Sequence, residues 1–289
     1  MDQNSDQNIP EQKSNPLAAW YRQPKIYVKL PSKGRFYPAG ALDSSVSGDY
    51  PVYGMTAKDE IMFKTPDALL SGQSTVEVIK SCFPAIKNPW LMPTIDVDYC
   101  LIAIRIATYG DKMEVGSTCP HCDADNNFDM DLSSWLDQYN EYEYQDTLEL
   151  GPLVVHLRPF SYKEMSDTSM KTVEQQRIFS IVNDSTITDE EKLKRFSESF
   201  VKLTDLTVDI VATCVSCIDT PSGRVSDIGF IKEFISNCSA SDFEIIQKHI
   251  NLQKEKIDIA AQKVQCGDCH EPYLLPVTMD QSNFFGVRS

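Results

Sequence analysis

The residues best suited to chemistry are two Cys-x-x-Cys pairs far apart in the chain, Cys119-Pro120-His121-Cys122 and Cys266-Gly267-Asp268-Cys269. That spacing lets two thiolates grip one metal ion from a tight turn, and two pairs supply the four sulfurs of a closed tetrahedral zinc site. The surrounding residues suit such knuckles. Gly116-Ser117-Thr118 leads into the first, and Asp123-Ala124-Asp125-Asn126-Asn127 follows it; Gly267 lies inside the second, with Pro272 just after. A full sulfur set leaves no open coordination position. The zinc expected at Cys119, Cys122, Cys266 and Cys269, one ion per chain, is therefore structural rather than catalytic. Its role would be to fold a two-knuckle ribbon that buries too little surface to fold unaided. His121 and His270 adjoin the knuckles, but with four cysteines in place they read as bystanders.

Two other readings compete. One is that both pairs are unmetallated surface turns, although two such turns in a chain from a reducing compartment rarely lack metal. The other is redox chemistry. Cys119-Pro120-His121-Cys122 is the sequence of oxidising disulfide oxidoreductases, whose first cysteine sits at a helix N-terminus that lowers its pKa. Here Asp123 and Asp125 would oppose that lowering, Asn126-Asn127 do not start a helix, and the upstream strand–helix pattern is missing. A thiol–disulfide oxidoreductase is the alternative function. A third spacing, Cys214/Cys217, lies in the apolar run from Val208 to Ile218. Read as helix, positions i and i+3 share a face, and buried cysteine behaves as a small hydrophobe, so this pair is expected in the core.

Other catalytic constellations are missing from the sequence. It holds no Gly-rich phosphate loop, no Gly-x-Ser-x-Gly elbow and no His-Glu-x-x-His. Of the histidines away from the knuckles, His156 falls in a predicted strand and His249 in an amphipathic helix, both structural settings. Arg105 interrupts an apolar helix; it is an exposed edge, a paired buried cation or an interface anchor. Without nucleophile, base and oxyanion donors together, the economical reading is a non-enzymatic protein.

The elements that must position the knuckles follow from pattern. Ile26 to Leu30 and Pro51 to Met55 read as strands. Thr65-Pro66-Asp67 and Ser74-Thr75-Val76-Glu77 read as helix starts, and Asp96 as the cap of an apolar helix ending at Gly110. Phe128 to Leu132 alternates like a strand and Ser133 to Tyr142 like a short helix. Leu148–Leu150 and Leu153–Leu157 form a hairpin around Gly151-Pro152. From the capping box Ser161–Glu164 to about Lys263 the pattern is helical, with a helix from Thr188 to about Cys217 and others opening at Ser226 and Ser241. Tyr273 to Met279 returns to strand.

The expected fold is α+β, mostly helical, with small β elements and a four-cysteine zinc-ribbon-like module built from sequence-distant knuckles. Residues 1–20 are expected as a disordered tail and 21–110 as a strand-plus-helix region. Residues 111–159 with 264–289 would form the ribbon module, and 160–263 a helical insertion between its halves.

Bulk properties limit the partners. The chain has 289 residues, 42% hydrophobic, enough for a sizeable core. Its formal net charge of −15 repels nucleic-acid phosphate and anionic lipid, which argues against both as partners. No segment is long and apolar enough to span a membrane, and Met1 to Pro16 lacks the pattern of a signal peptide. Folding in a reducing cytoplasm is expected, and nine cysteines, an odd number, then point to metal binding and burial rather than disulfides.

Several strings occur together as a set. They are Val28-Lys29-Leu30-Pro31-Ser32-Lys33-Gly34, Met55-Thr56-Ala57-Lys58-Asp59-Glu60, and Lys64-Thr65-Pro66-Asp67-Ala68-Leu69-Leu70-Ser71-Gly72. Val78-Ile79-Lys80-Ser81-Cys82 with Asn88-Pro89-Trp90, and Ile104-Arg105-Ile106-Ala107-Thr108-Tyr109-Gly110 before the Cys-Pro-x-Cys turn, complete it. In these, over roughly residues 25–160, the chain resembles the baseplate hub protein family of T-even-like contractile-tailed bacteriophages. The resemblance implies a viral structural or assembly protein. It would be made in the host bacterial cytoplasm, bind other baseplate proteins, and belong to the tail baseplate of the virion. It supplies no enzymatic residues, and the family's cysteine turn falls on Cys119 and Cys122.

Overall fold

The computed structural model describes residues 15–63, 72–180, 188–259, 261–276 and 284–285. The expected cap at Thr65-Pro66-Asp67, most of the expected tail and the end of the last predicted strand lie outside these residues. The architecture is α+β. All strand pairs among the described residues are antiparallel, in three two-stranded sheets and one four-stranded sheet.

After a short 3-10 turn, Pro16–Trp20, strand β1 (Pro24–Val28) pairs with β2 (Tyr50–Tyr53). Helices α1 (Ala57–Phe63), α2 (Gln73–Cys82) and α3 (Thr94–Tyr109) follow. The centre of α3 is apolar on every side, and Val97 and Cys100 to Ile104 are all at most 2% exposed. A helix of that composition is stable only inside a core. β1, β2, α1 and α2 wrap it, and Gly54 lies so close that a Cβ there would stand 2.8 Å from the Ala107 carbonyl oxygen.

Helix starts differ from expectation where burial outranks local capping. Asp96 is in the first turn of α3 rather than at its cap, which is Pro93. Its buried carboxylate instead accepts from Ser32 N–H at 2.8 Å, Ser32 Oγ at 2.6 Å and Tyr37 Oη at 2.9 Å, tying the Pro31–Gly34 turn to the helix. Burial drives its pKa up to about 6. α2 begins at Gln73 after Gly72, and Ser74 donates to the Met62 carbonyl rather than capping. The 161–164 capping box forms as read: Ser161 N–H donates to Glu164 Oε2 and Glu164 N–H to Ser161 Oγ.

Strands β3 (Lys112–Thr118) and β4 (Asp125–Asp131) make the hairpin that carries the first cysteine turn, and α4 (Leu132–Glu141) follows. β5 (Thr147–Leu150) and β6 (Leu153–Leu157) form the expected Gly151-Pro152 hairpin. Then come α5 (Tyr162–Ser180) and α6 (Asp189–Cys214), the latter capped by Thr188 as read.

Here one expectation is corrected. The helix ends at Cys214, and Val215–Thr220 is strand β7, which turns at Thr220–Gly223 into β8 (Gly223–Val225). β7 pairs with β6, with Cys217 opposite His156. Cys214 is buried, but Cys217 does not share a helix face with it. It lies on the sheet side opposite that of Ile218, whose side chain is buried. The apolar run fits helix or strand by composition, and pairing with β6 decides. The β5–β6 hairpin, grouped by sequence with the ribbon, thus shares a sheet with strands from the expected insertion. That sheet, α6, α7 (Ile228–Asn237) and α8 (Ala240–Ile257) enclose a second core around Val155, Leu157, Val211, Ile218, Ile231 and Ile246. β9 (Gln262–Gln265) and β10 (Pro272–Leu275) form the last hairpin and carry the second cysteine turn.

Candidate metal centre

The four knuckle cysteines converge. Their sulfurs all lie within 4.8 Å of one another, with Cys119 Sγ 3.8 Å from Cys269 Sγ and Cys122 Sγ 3.6 Å from Cys266 Sγ. These close pairs run between knuckles rather than within them. Both separations far exceed the disulfide bond length of about 2.05 Å. A tetrahedral ion with metal–sulfur bonds of about 2.3 Å has sulfur–sulfur edges of about 3.8 Å, so the geometry fits a zinc-sized ion.

The two turns are built alike, as their sequences suggest. Cys119 N–H donates to the Ala124 carbonyl and Asp123 N–H to the Cys119 carbonyl; Cys266 N–H donates to the Glu271 carbonyl and His270 N–H to the Cys266 carbonyl. Asp123 and His270, each just after the second cysteine of its pair, both take positive φ, 58° and 61°. This left-handed residue curls each turn so that both sulfurs of a pair face the same point. It also fixes the place of the flanking histidines: His270 serves the turn through its backbone, and His121 N–H points at Cys119 Sγ, 3.4 Å away. Neither imidazole belongs to the cluster.

The electrostatics call for a cation. Backbone N–H groups of Cys269 and Asp268, joined by the Asn126 amide, draw the Cys266 thiol down to about 6. At Cys122 the Ala124 N–H favours the thiolate, yet the crowding sulfurs of Cys269, Cys266 and Cys119 push its pKa up to about 12. One sulfur carries charge readily, while those of Cys122 and Cys269 resist ionising beside it. A divalent ion removes that repulsion and allows the full thiolate set.

The hairpins carrying the turns are poorly buried. β3 has no buried residue and β4 only Met130; β9 has none and β10 only Tyr273 and Leu275. An isolated two-stranded hairpin is marginal in water. Beyond the sulfurs, the two hairpins meet in a small cluster in which Phe128 and Tyr273 contact edge to face at 6.2 Å. Sequence reasoning passed over Asn126, whose side chain reaches from β4 to the second knuckle. An asparagine seven residues after a cysteine carries no signal by itself; only the folded turn brings it there.

Other singled-out residues lie elsewhere. Arg105 is a buried cation that meets a carbonyl and two rings rather than a carboxylate: Nη1 donates to the Phe284 carbonyl, Nε has no hydrogen-bond partner among the described residues, and the guanidinium stands 5.3 Å from the ring centroids of both Tyr109 and Phe284. Phe284 and Phe285 are buried on the first core, Phe285 stacked on Phe63 at 4.4 Å. On the four-stranded sheet, His156 Nε2 meets Asp219 Oδ2 at 2.8 Å, and Arg224 forks onto the same carboxylate. His249 Nε2 lies 3.0 Å from the Gln145 carbonyl oxygen. No helix among the described residues is long and apolar enough to cross a membrane.

No curated protein and no solved structure gives a significant match to the chain. The sequence model of the family described as T4 bacteriophage base plate protein, however, matches residues 50–286, from the start of β2 past Phe285, with both cysteine turns inside the match. On that extent of agreement the chain belongs to the T4 bacteriophage base plate protein family.

Proposed function

We propose that this protein is a non-enzymatic subunit of the baseplate hub that binds other baseplate proteins and holds them in place. Cys119, Cys122, Cys266 and Cys269 hold one zinc ion per chain, whose role is to staple two hairpins that could not hold each other unaided. Family membership supports the baseplate role, and the convergence of four sulfurs on tetrahedral edges is the observation that carries the zinc. Contact surface is available on α6, where Leu193 and Phe200, seven residues apart on one helix face, stand 68% and 60% exposed. The protein is made in the host cytoplasm and enters the virion at the tail baseplate.

Metal analysis of the purified chain tests the staple: one zinc per chain is expected, and its absence would sink the reading. Mass spectrometry of purified particles beside infected-cell lysate tests the place in the virion. The chain in both marks a component, whereas detection in lysate alone marks an assembly factor.

The oxidoreductase reading is disfavoured by the geometry around Cys119. That residue follows strand β3 and enters a closed turn instead of starting a helix, and its sulfur lies 3.8 Å from that of Cys269, in the other knuckle. Insulin disulfide reduction by the purified chain, at a rate above free dithiol, would restore that reading.

A further inference from the structure

We propose that Asn126 is the positioning residue of the metal centre: its carboxamide bridges the two knuckles and holds the Cys266 sulfur in ligating orientation. The proposal rests on the reading of the four cysteines as zinc ligands.

Asn126 stands in β4, opposite Ser117 in the ladder, on the hairpin of the first knuckle. Its partners lie largely on the other hairpin. Gly267 N–H, inside the second knuckle, donates to Oδ1 at 2.8 Å; Nδ2 donates to the Ala124 carbonyl at 2.9 Å and to Cys266 Sγ at 3.5 Å. This pattern fixes the amide's orientation. Turning it over would set Nδ2 against the Gly267 donor and Oδ1 against a carbonyl oxygen and a sulfur, so all three bonds would be lost together.

The bridge lies where the fold supplies little else. β3–β4 and β9–β10 are separate two-stranded sheets with no ladder between them. The turns are otherwise equivalent, but the bridge is one-sided: the position in the second knuckle that corresponds to Asn126, seven residues after its first cysteine, is Tyr273. One hairpin therefore reaches over and aligns the other. An N–H donor to sulfur stabilises thiolate charge, and the bridge aligns the second knuckle on the first as the ion is bound. Groups that orient metal ligands in this way typically contribute about 10–100-fold in metal affinity.

The test uses the full chain with Asn126→Ala and Asn126→Asp. Zinc affinity is read by competition with a chromophoric chelator, and sulfur ligation by the thiolate charge-transfer band of the cobalt(II)-substituted protein. Asn126→Ala should weaken zinc about 10–100-fold, while one ion per chain and a four-thiolate band are retained at saturation. Asn126→Asp keeps an acceptor for Gly267 N–H, removes the donor to both the Cys266 sulfur and the Ala124 carbonyl, and sets a carboxylate beside the thiolate. It should also weaken zinc, and it should move the cobalt band to longer wavelength because the thiolate becomes more electron-rich. A merely structural role would leave that band in place. Wild-type affinity and an unmoved band in both variants would overturn the role of Asn126 while leaving the zinc reading intact. A wild-type chain that binds no zinc, or shows fewer than four thiolates, would overturn the zinc reading and this proposal with it.

Discussion

Arg105, in the C-terminal half of α3, and Phe284, 179 residues further along the chain, are joined through both atoms and rings. The arginine donates from Nη1 to the Phe284 carbonyl, and its guanidinium lies 5.3 Å from the phenylalanine ring centroid. Burial holds the Arg105 pKa below its ordinary value, so this cation depends on the partners it finds in the core. Removing Phe284 and Phe285 should strand the guanidinium and leave Phe63 without its stacking partner. The expected loss is about 3–5 kcal/mol, read as a lower urea midpoint. Arg105→Met, which removes the charge together with its need for a partner, should cost less than the truncation. A truncated chain as stable as the full one would refute the relationship.

Removing the metal should be local in its effect. The first core takes in Met130 and Leu275 from these hairpins but none of the four cysteines, so chelation is expected to loosen the hairpins at 112–131 and 262–275 first and leave α3 and the four-stranded sheet protected. Hydrogen exchange followed by mass spectrometry reads this directly. Cys266→Ser should reproduce the pattern and abolish stoichiometric zinc. Uniform loss of protection across both cores would show that the ion holds more than the ribbon.

Asp96 should impose a pH dependence. Its carboxyl is wholly buried, with three hydrogen bonds and no cation among the described residues, and its pKa rises from the ordinary 3.8 to about 6. The folded state therefore holds this proton more tightly than the unfolded chain. That contribution is complete below about pH 4 and is lost as pH rises through 6, on the order of 3 kcal/mol in all. Asp96→Asn should flatten this decline relative to wild type when both are unfolded by denaturant at matched zinc loading between pH 5 and 8. Parallel profiles would disprove the assignment.

Tyr273 presents the opposite case, a polar group with nothing to satisfy it. Its hydroxyl is buried without a hydrogen-bond partner among the described residues, while its ring packs on Phe128 beside the knuckles. Tyr273→Phe should keep the ring contact and relieve the stranded hydroxyl, raising stability by about 1 kcal/mol with zinc content unchanged. A destabilised variant in thermal melts would mean that the hydroxyl has a role in the native state.

The open apolar face of α6 should matter for assembly rather than folding. Leu193→Glu with Phe200→Glu alters exposed positions, so stability should change by less than about 0.5 kcal/mol. If this face meets a baseplate neighbour, the variant should accumulate as folded protein in infected cells yet be missing from purified particles. Normal incorporation would rule the face out.

Local signals were legible wherever the decision was local. The Gly151-Pro152 hairpin, the Ser161–Glu164 box, the Thr188 cap and the stop at Gly110 were set by residues within a few positions of one another, and they form as read. Signals failed where a distant segment bid for the same residues. Val215 to Thr220 had the composition of a helix continuing, and β6 claimed it as a strand. Asp96 looked like a cap, and the Ser32 turn claimed its carboxylate.

The same division holds at the metal centre. Spacing alone named four cysteines as a set, because two residues between thiols is a property of the local turn and needs no fold to be read. That the pairs meet, that sulfurs approach across the knuckles, and that Asn126 reaches over to Gly267 and Cys266 were decided only by tertiary packing. Contacts between segments so distant in sequence depend on the first core, which takes in Met130 of one hairpin and Leu275 of the other, and no window of sequence contains that information.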